Sequence, residues 1–170
     1  MLRAGEVDVL VTNAPVDEPD LVAGPVVLTE PVVLAVATGH PLAPRTEVTL
    51  DDLGGEVVLR AGRRGPPYWQ DPDTWTTADG TPIRHGPTVD TLQELLALVA
   101  AGEAVCPLAG HAVAYFTRPT LAFVPFTADA PPVRWGLTWR TTGRTERVRA
   151  FARAAAEAVA VRREAYGSRR

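Results

Sequence analysis

Side chains able to do covalent or metal chemistry are few and scattered in this sequence. Cys106 is the single cysteine, Ser168 the single serine, and the histidines are His40, His85 and His111. A hydroxyl nucleophile needs a base and an orienting acid around it, and Ser168 stands in a Gly-Ser-Arg-Arg tail that cannot hold such a triad. The histidines show no metal-binding spacing and have no cysteine or carboxylate partner at an obvious offset. His40 reads as a turn residue, and His85 and His111 as structural. Asp51, Asp52 and Glu94 read as helix-capping acids rather than a catalytic pair. The segment from Gly62 to Gly65 lacks the pattern, and the following Lys-Ser/Thr, of a phosphate loop. The expectation is a chain that is not an enzyme, with no catalytic residue, no metal and no cofactor.

What remains are residues suited to holding a small molecule, and these depend on the elements that present them. Ligands of open α/β sheets gather beyond the carboxyl ends of the strands. Thr12 and Asn13 follow the apolar run Val7–Val11 and are the first candidates; the plainer reading is a turn, which asparagine suits. Arg60 ends the short run Glu56–Arg60, where a guanidinium could fork to a carboxylate ligand or simply pair with a surface acid. Thr88 and Thr91 stand at a helix start, where free N–H groups attract anions, although an N-cap accounts for them equally. Cys106 and Pro107 close another short strand. Cys106 suits a small buried site, and a redox role would need an exposed thiol of depressed pKa. Tyr68, Trp69 and Trp135 could line a binding site or pack in a core.

Strand and helix signals alternate. Val26–Ala37 is apolar but interrupted by Glu30-Pro31, which predicts two strands with a crossing point there. Gly5 looks like the stop of a helix whose start lies outside the sequence. Val48–Leu53 predicts a one-turn helix. Thr91–Ala101 is the clearest helix, with Leu92, Leu95, Leu96 and Val99 on one face, a capping box from Thr91 and Glu94, and Gly102 as its stop. Ala104–Pro107 reads as a strand, Ala109–Phe116 as a short helix, and Leu121–Phe126 and Val133–Trp139 as strands. Thr145–Tyr166 reads as a long helix with Val148, Phe151, Ala155 and Val159 on its buried stripe. Residues 65–87 hold five prolines and three glycines, and Asp79-Gly80 signals a type I′ hairpin turn. This alternation predicts an α/β class with a largely parallel sheet.

Composition narrows the function classes. Hydrophobic residues make up 46% and charged residues 22%, which suits a globular domain rather than a disordered chain. All 17 basic residues are arginine. Residues 134–170 carry ten arginines against three glutamates, so the preceding 133 residues carry −10 of the total charge of −3. A basic segment can meet nucleic acid. Here the arginines spread around a helix without interleaved aromatics, which reads as a solvated face and no DNA contact. No apolar run approaches the ~20 residues of a membrane span, and no signal peptide opens the chain, so the expectation is a cytoplasmic protein.

The order of motifs resembles one family. Leu2-Arg3-Ala4-Gly5-Glu6-Val7-Asp8-Val9-Leu10-Val11 resembles the end of the first lobe of the effector domain in LysR-type transcriptional regulators. Thr29-Glu30-Pro31-Val32-Val33-Leu34, followed by His40-Pro41-Leu42-Ala43, is similar to that family's crossover strand and its turn, and Val48–Leu53 to the segment after it. Leu98-Val99-Ala100-Ala101-Gly102 with Val105 and Pro107, then Val133–Arg140 and the final Ala/Arg helix, continue the likeness to about Ala165. Pro67-Tyr68-Trp69 and Arg84-His85-Gly86-Pro87 resemble an actinobacterial branch.

The resemblance implies a two-lobed α/β fold of the type II periplasmic-binding-protein kind, lobe I at about 1–31 and 128–166 and lobe II at about 32–127. It implies a small-molecule effector in the cleft between the lobes, coupled to subunit packing in a homo-oligomer. Arg60 and Thr91 hint at an anionic effector. Against the family's pattern the first lobe looks incomplete and a DNA-binding domain absent, so pairing with a full-length regulator is an alternative. A solute-binding protein is a further one.

Overall fold

The computed structural model describes residues 1–59 and 76–167, with side chains as far as Val161. Arg60, Tyr68 and Trp69 lie outside the described residues. The chain divides into two compact units: Met1–Thr29 with Val133–Arg170, and Glu30–Pro132.

The first unit is a three-stranded sheet with one helix on it. Strands β1 (Leu10–Asn13), β6 (Val133–Arg140) and β2 (Leu21–Glu30) lie in the order β1-β6-β2, and β1 runs antiparallel to β6. Leu137 and Trp139 point from β6 to Val148 and Ala152 of α3 (Glu146–Gly167), with Val9, Val22, Val27 and Ala155 around them. Burying this stripe is what holds a helix otherwise rich in arginine against the sheet. Phe151 corrects the expected stripe: it is 55% exposed. It sits roughly 100° around the helix from buried Ala152, which turns it off the contact line. Gly5 closes the N-terminal turn at φ 75°, with its N–H donating to the Leu2 carbonyl. Arg3 ties that turn to the segment before β2 through Asp20, at 2.7 and 2.9 Å, and Glu18, at 2.6 Å.

The second unit is built on β3 (Val32–Ala37), flanked antiparallel by β4 (Cys106–Ala109) and β5 (Leu121–Pro125). Val32–Val36 are buried without interruption, as expected of a central strand covered on both faces. Helix α1 (Leu92–Ala100) lays Leu95, Leu96 and Val99 on a core shared with Ala35, Leu59, Val89 and Cys106. The short α2 (Ala112–Tyr115) follows β4. The crossing point expected at Glu30-Pro31 is where β2 ends and β3 begins.

Two expectations change. The β1–β6, β3–β4 and β3–β5 ladders are antiparallel, and parallel pairing occurs in isolated bridges such as Val58 with His85 and with Val105. Alternation along a sequence does not set strand direction when each partner of β3 arrives from far along the chain. The Asp79-Gly80 turn is not type I′, which needs positive φ at both central residues. Gly80 alone has it, at 81°, and its N–H reaches the Thr77 carbonyl, so the glycine follows the turn as a bulge residue.

Candidate functional site

Each unit gathers part of the expected set. In the first, β1 and β6 align Asn13 with Trp135 and Thr12 with Gly136. The Thr12 and Thr138 hydroxyls are hydrogen-bonded at 2.7 Å, and Thr138 is buried. Leu137 and Trp139 face α3, so by strand alternation Thr12 and Thr138 face the other side of the sheet. Asn13 and its cross-strand partner Trp135 therefore share the α3 side with Leu137, while Thr12 lies on the opposite face with Thr138, so the sheet does not bring the three together.

In the second unit the parallel bridges do the gathering. Val58 sits between His85 and Val105, all three running the same way. The Val58 N–H donates to the Arg84 carbonyl, and those of Leu59 and Val105 to the carbonyls of Val105 and Val57. Parallel neighbours bring their carboxyl ends to one edge, so Thr88 and the pair Cys106-Pro107 lie beyond the same end of this small array. A Cβ on Gly86 would come within 2.7 Å of Val57 Cγ1 and 3.0 Å of Leu59 Cδ2, so glycine is what lets these rows approach.

Thr88 is exposed. Thr91 caps α1: its Oγ1 accepts from the Glu94 N–H at 3.1 Å, and the Glu94 carboxylate accepts from the Asp90 N–H at 3.3 Å. The expected capping box is therefore formed one residue out of step: of the helix's own first donors the Glu94 N–H is satisfied by the cap, and the Glu94 carboxylate reaches Asp90, the residue before it. Cys106 is 1% exposed within the α1 core, and burial pushes its thiol far above the usual range. Neither condition for a redox-active thiol is met.

Reading the sequence missed two features. Glu30 is buried at the β2–β3 junction and accepts from the His111 N–H at 2.8 Å, with His111 Nδ1 at 2.9 Å from its other oxygen. A glutamate inside the apolar run Val26–Ala37 was the available signal. The other is a depression of about 410 Å3 in the second unit, lined by residues including His40, Gly102 and Thr120. It shares none of the expected site residues. Among the described residues no three histidine, cysteine or acidic side chains group as a metal site, and no helix is long and apolar enough to cross a membrane.

None of the curated proteins matches the sequence. Solved structures do. The reduced OxyR regulatory domain from Pseudomonas aeruginosa matches at TM-score 0.66 and 24% identity, over 93% of this chain and 74% of that one. A hydrogen-peroxide-bound OxyR mutant from Corynebacterium glutamicum matches at 0.71 and 25%, over 94% of this chain and 54% of that one. The BenM effector binding domain with its effector benzoate matches at 0.73 and 19%, over 98% and 73%. Against full-length OxyR from P. aeruginosa the chain spans 54% of the length. The family of LysR substrate binding domains matches residues 1–160. That match covers nearly the whole sequence and both units are built from strands and helices: the chain belongs to the LysR substrate binding domain family.

Proposed function

We propose that this chain is the small-molecule-sensing part of a cytoplasmic LysR-type transcriptional regulator and that it returns its ligand unchanged. The observation that carries this is the family match over residues 1–160. The effector is held between the two lobes. Thr12, Asn13 and Trp135 are the candidates from the first; Thr88, Thr91, Pro107, Cys106, Arg60, Tyr68 and Trp69 are the candidates from the second. Arg60 favours a carboxylate. The Thr91 hydroxyl already fills the Glu94 N–H at the α1 start, which leaves the arginine as the charged partner for an anion. Binding that differs between open and closed lobes shifts their balance and, through it, subunit packing.

The test is a thermal-shift screen of small carboxylates, starting with benzoate because BenM binds it. A saturable rise in Tm is expected for at least one carboxylate, weakened at least tenfold in affinity by Arg60→Gln and recovered intact afterwards by mass spectrometry. A ligand returned chemically altered would make the protein an enzyme. A carboxylate that binds equally well to Arg60→Gln would remove Arg60 from the site.

A further inference from the structure

The depression of about 410 Å3 in the second unit lies at the far end of β3 from the Glu30-Pro31 crossing point. Its walls are the turn at residues 38–41, which leaves β3, Thr120 just ahead of β5, and Ala100, Ala101 and Gly102 at the end of α1. The six residues of β3 span roughly 20 Å at about 3.3 Å each. Thr91, an effector candidate, caps the opposite end of α1. A side chain added at Gly39 would enter open space, so glycine keeps this wall clear.

The walls are rich in hydrogen-bond acceptors. Helix carbonyls point toward the C-terminus, and the last turn carries a partial negative charge there. The Leu98 and Val99 carbonyls are taken by the N–H groups of Glu103 and Gly102, whereas those of Ala100 and Ala101 accept from no described backbone group. A basic side chain commonly answers a helix at this place. The last turn of α1 holds none, and the acid Glu103 follows instead. An acid where a helix calls for a base breaks a local rule, and such breaks gather at functional sites. His40 accepts the Leu42 N–H on Nδ1 at 3.2 Å, which puts its proton on Nε2, 3.4 Å from the Glu56 carboxylate. The arginines nearest in sequence are engaged elsewhere: Arg118 donates to Gln93 at the opening of α1, and Arg45 to Asp52 at 2.8 Å.

We propose that this depression binds a small organic ammonium ion. The ammonium N–H groups donate to the free carbonyls at the end of α1 and to the Thr38 and Thr120 hydroxyls, and the alkyl part lies against Ala37 and Pro41. The volume falls within the range of small-ligand pockets, about 300–1,000 Å3, which suits an alkylammonium rather than a bare ion. Among the described residues no cluster of metal-binding side chains offers a rival occupant. The inference goes beyond the effector reading and does not rest on it, because none of the residues expected to hold the effector lines the depression.

An amide NMR titration of the 170-residue chain with n-butylammonium chloride tests it. Saturable shifts in the millimolar range are expected at the amides of Thr38, Gly39, His40, Ala101, Gly102 and Thr120. Uncharged n-butanol should bind at least tenfold more weakly, and butyrate and sodium chloride should leave those amides in place. Ala101→Lys sets a tethered ammonium at an exposed helix end, and Gly39→Leu fills open space without adding charge. Each should weaken n-butylammonium at least tenfold with an unchanged circular dichroism spectrum, whereas Phe151→Lys in the other unit should not. Absence of saturation by n-butylammonium, equal binding of n-butanol, or binding that survives both Ala101→Lys and Gly39→Leu overturns the proposal.

Discussion

The Trp139 indole lies across the backbone of Gly24. A Cβ added there would overlap Cζ3 of the ring and sit 2.9 Å from the Leu137 carbonyl oxygen. The glycine of β2 is thus the floor on which the buried tryptophan of β6 rests, and α3 closes over both. Gly24→Ala is expected to cost about 1–3 kcal/mol through overpacking, read as a lower urea midpoint. Gly39→Ala, with open space around its Cβ, should stay within about 0.5 kcal/mol of the parent.

Thr12 and Thr138 share one hydroxyl–hydroxyl bond on the sheet face away from α3. Thr138→Val leaves the half-buried Thr12 hydroxyl without that partner and should cost about 1–2 kcal/mol. The double variant Thr12→Val with Thr138→Val should cost less than the sum of the singles, because no polar group is then stranded. A double-mutant cycle by chemical denaturation reads the difference, and strict additivity would show that the bond contributes nothing.

Asp20 is held below the usual carboxylate range by its hydrogen bonds from Arg3. A depressed folded-state pKa means its contribution is fully present above the unfolded value near 3.8 and is lost as pH falls through the folded one. The N-terminal turn should therefore loosen only in strong acid. Carboxyl NMR titration should place Asp20 below a free aspartate in the parent and return it toward normal in Arg3→Gln. An Asp20 titration unmoved by that substitution would show that the pair does not persist in solution.

Cys106 should resist alkylation in the folded chain, since burial disfavours its thiolate. Labelling by iodoacetamide is expected to track unfolding in urea rather than pH between 7 and 9. Rapid modification of native protein would place the thiol at a surface.

Several elements were legible because their signals are local. The stripe and Thr91 cap of α1, the left-handed Gly5 and the break at Glu30-Pro31 each follow from residues within a few positions of one another. The ordered motifs likewise identified the family and the α/β class. Of the candidate site, Asn13 and Trp135 are cross-strand neighbours in one unit with Thr12 on the other face of the sheet, and Thr88, Cys106 and Pro107 share an edge in the other; Arg60, Tyr68 and Trp69 lie outside the described residues.

What the sequence by itself determined, then, was which segments form strands and helices and which family they compose. Only the tertiary structure decided the antiparallel ladders, the outward turn of Phe151, the Glu30–His111 pair and the seat of Trp139 on Gly24. Propensity and capping act over one or two turns of chain, whereas pairing direction and packing are set between residues far apart in sequence. Those choices depend on which surfaces exclude water together, and a periodic pattern read along one segment does not contain its partner.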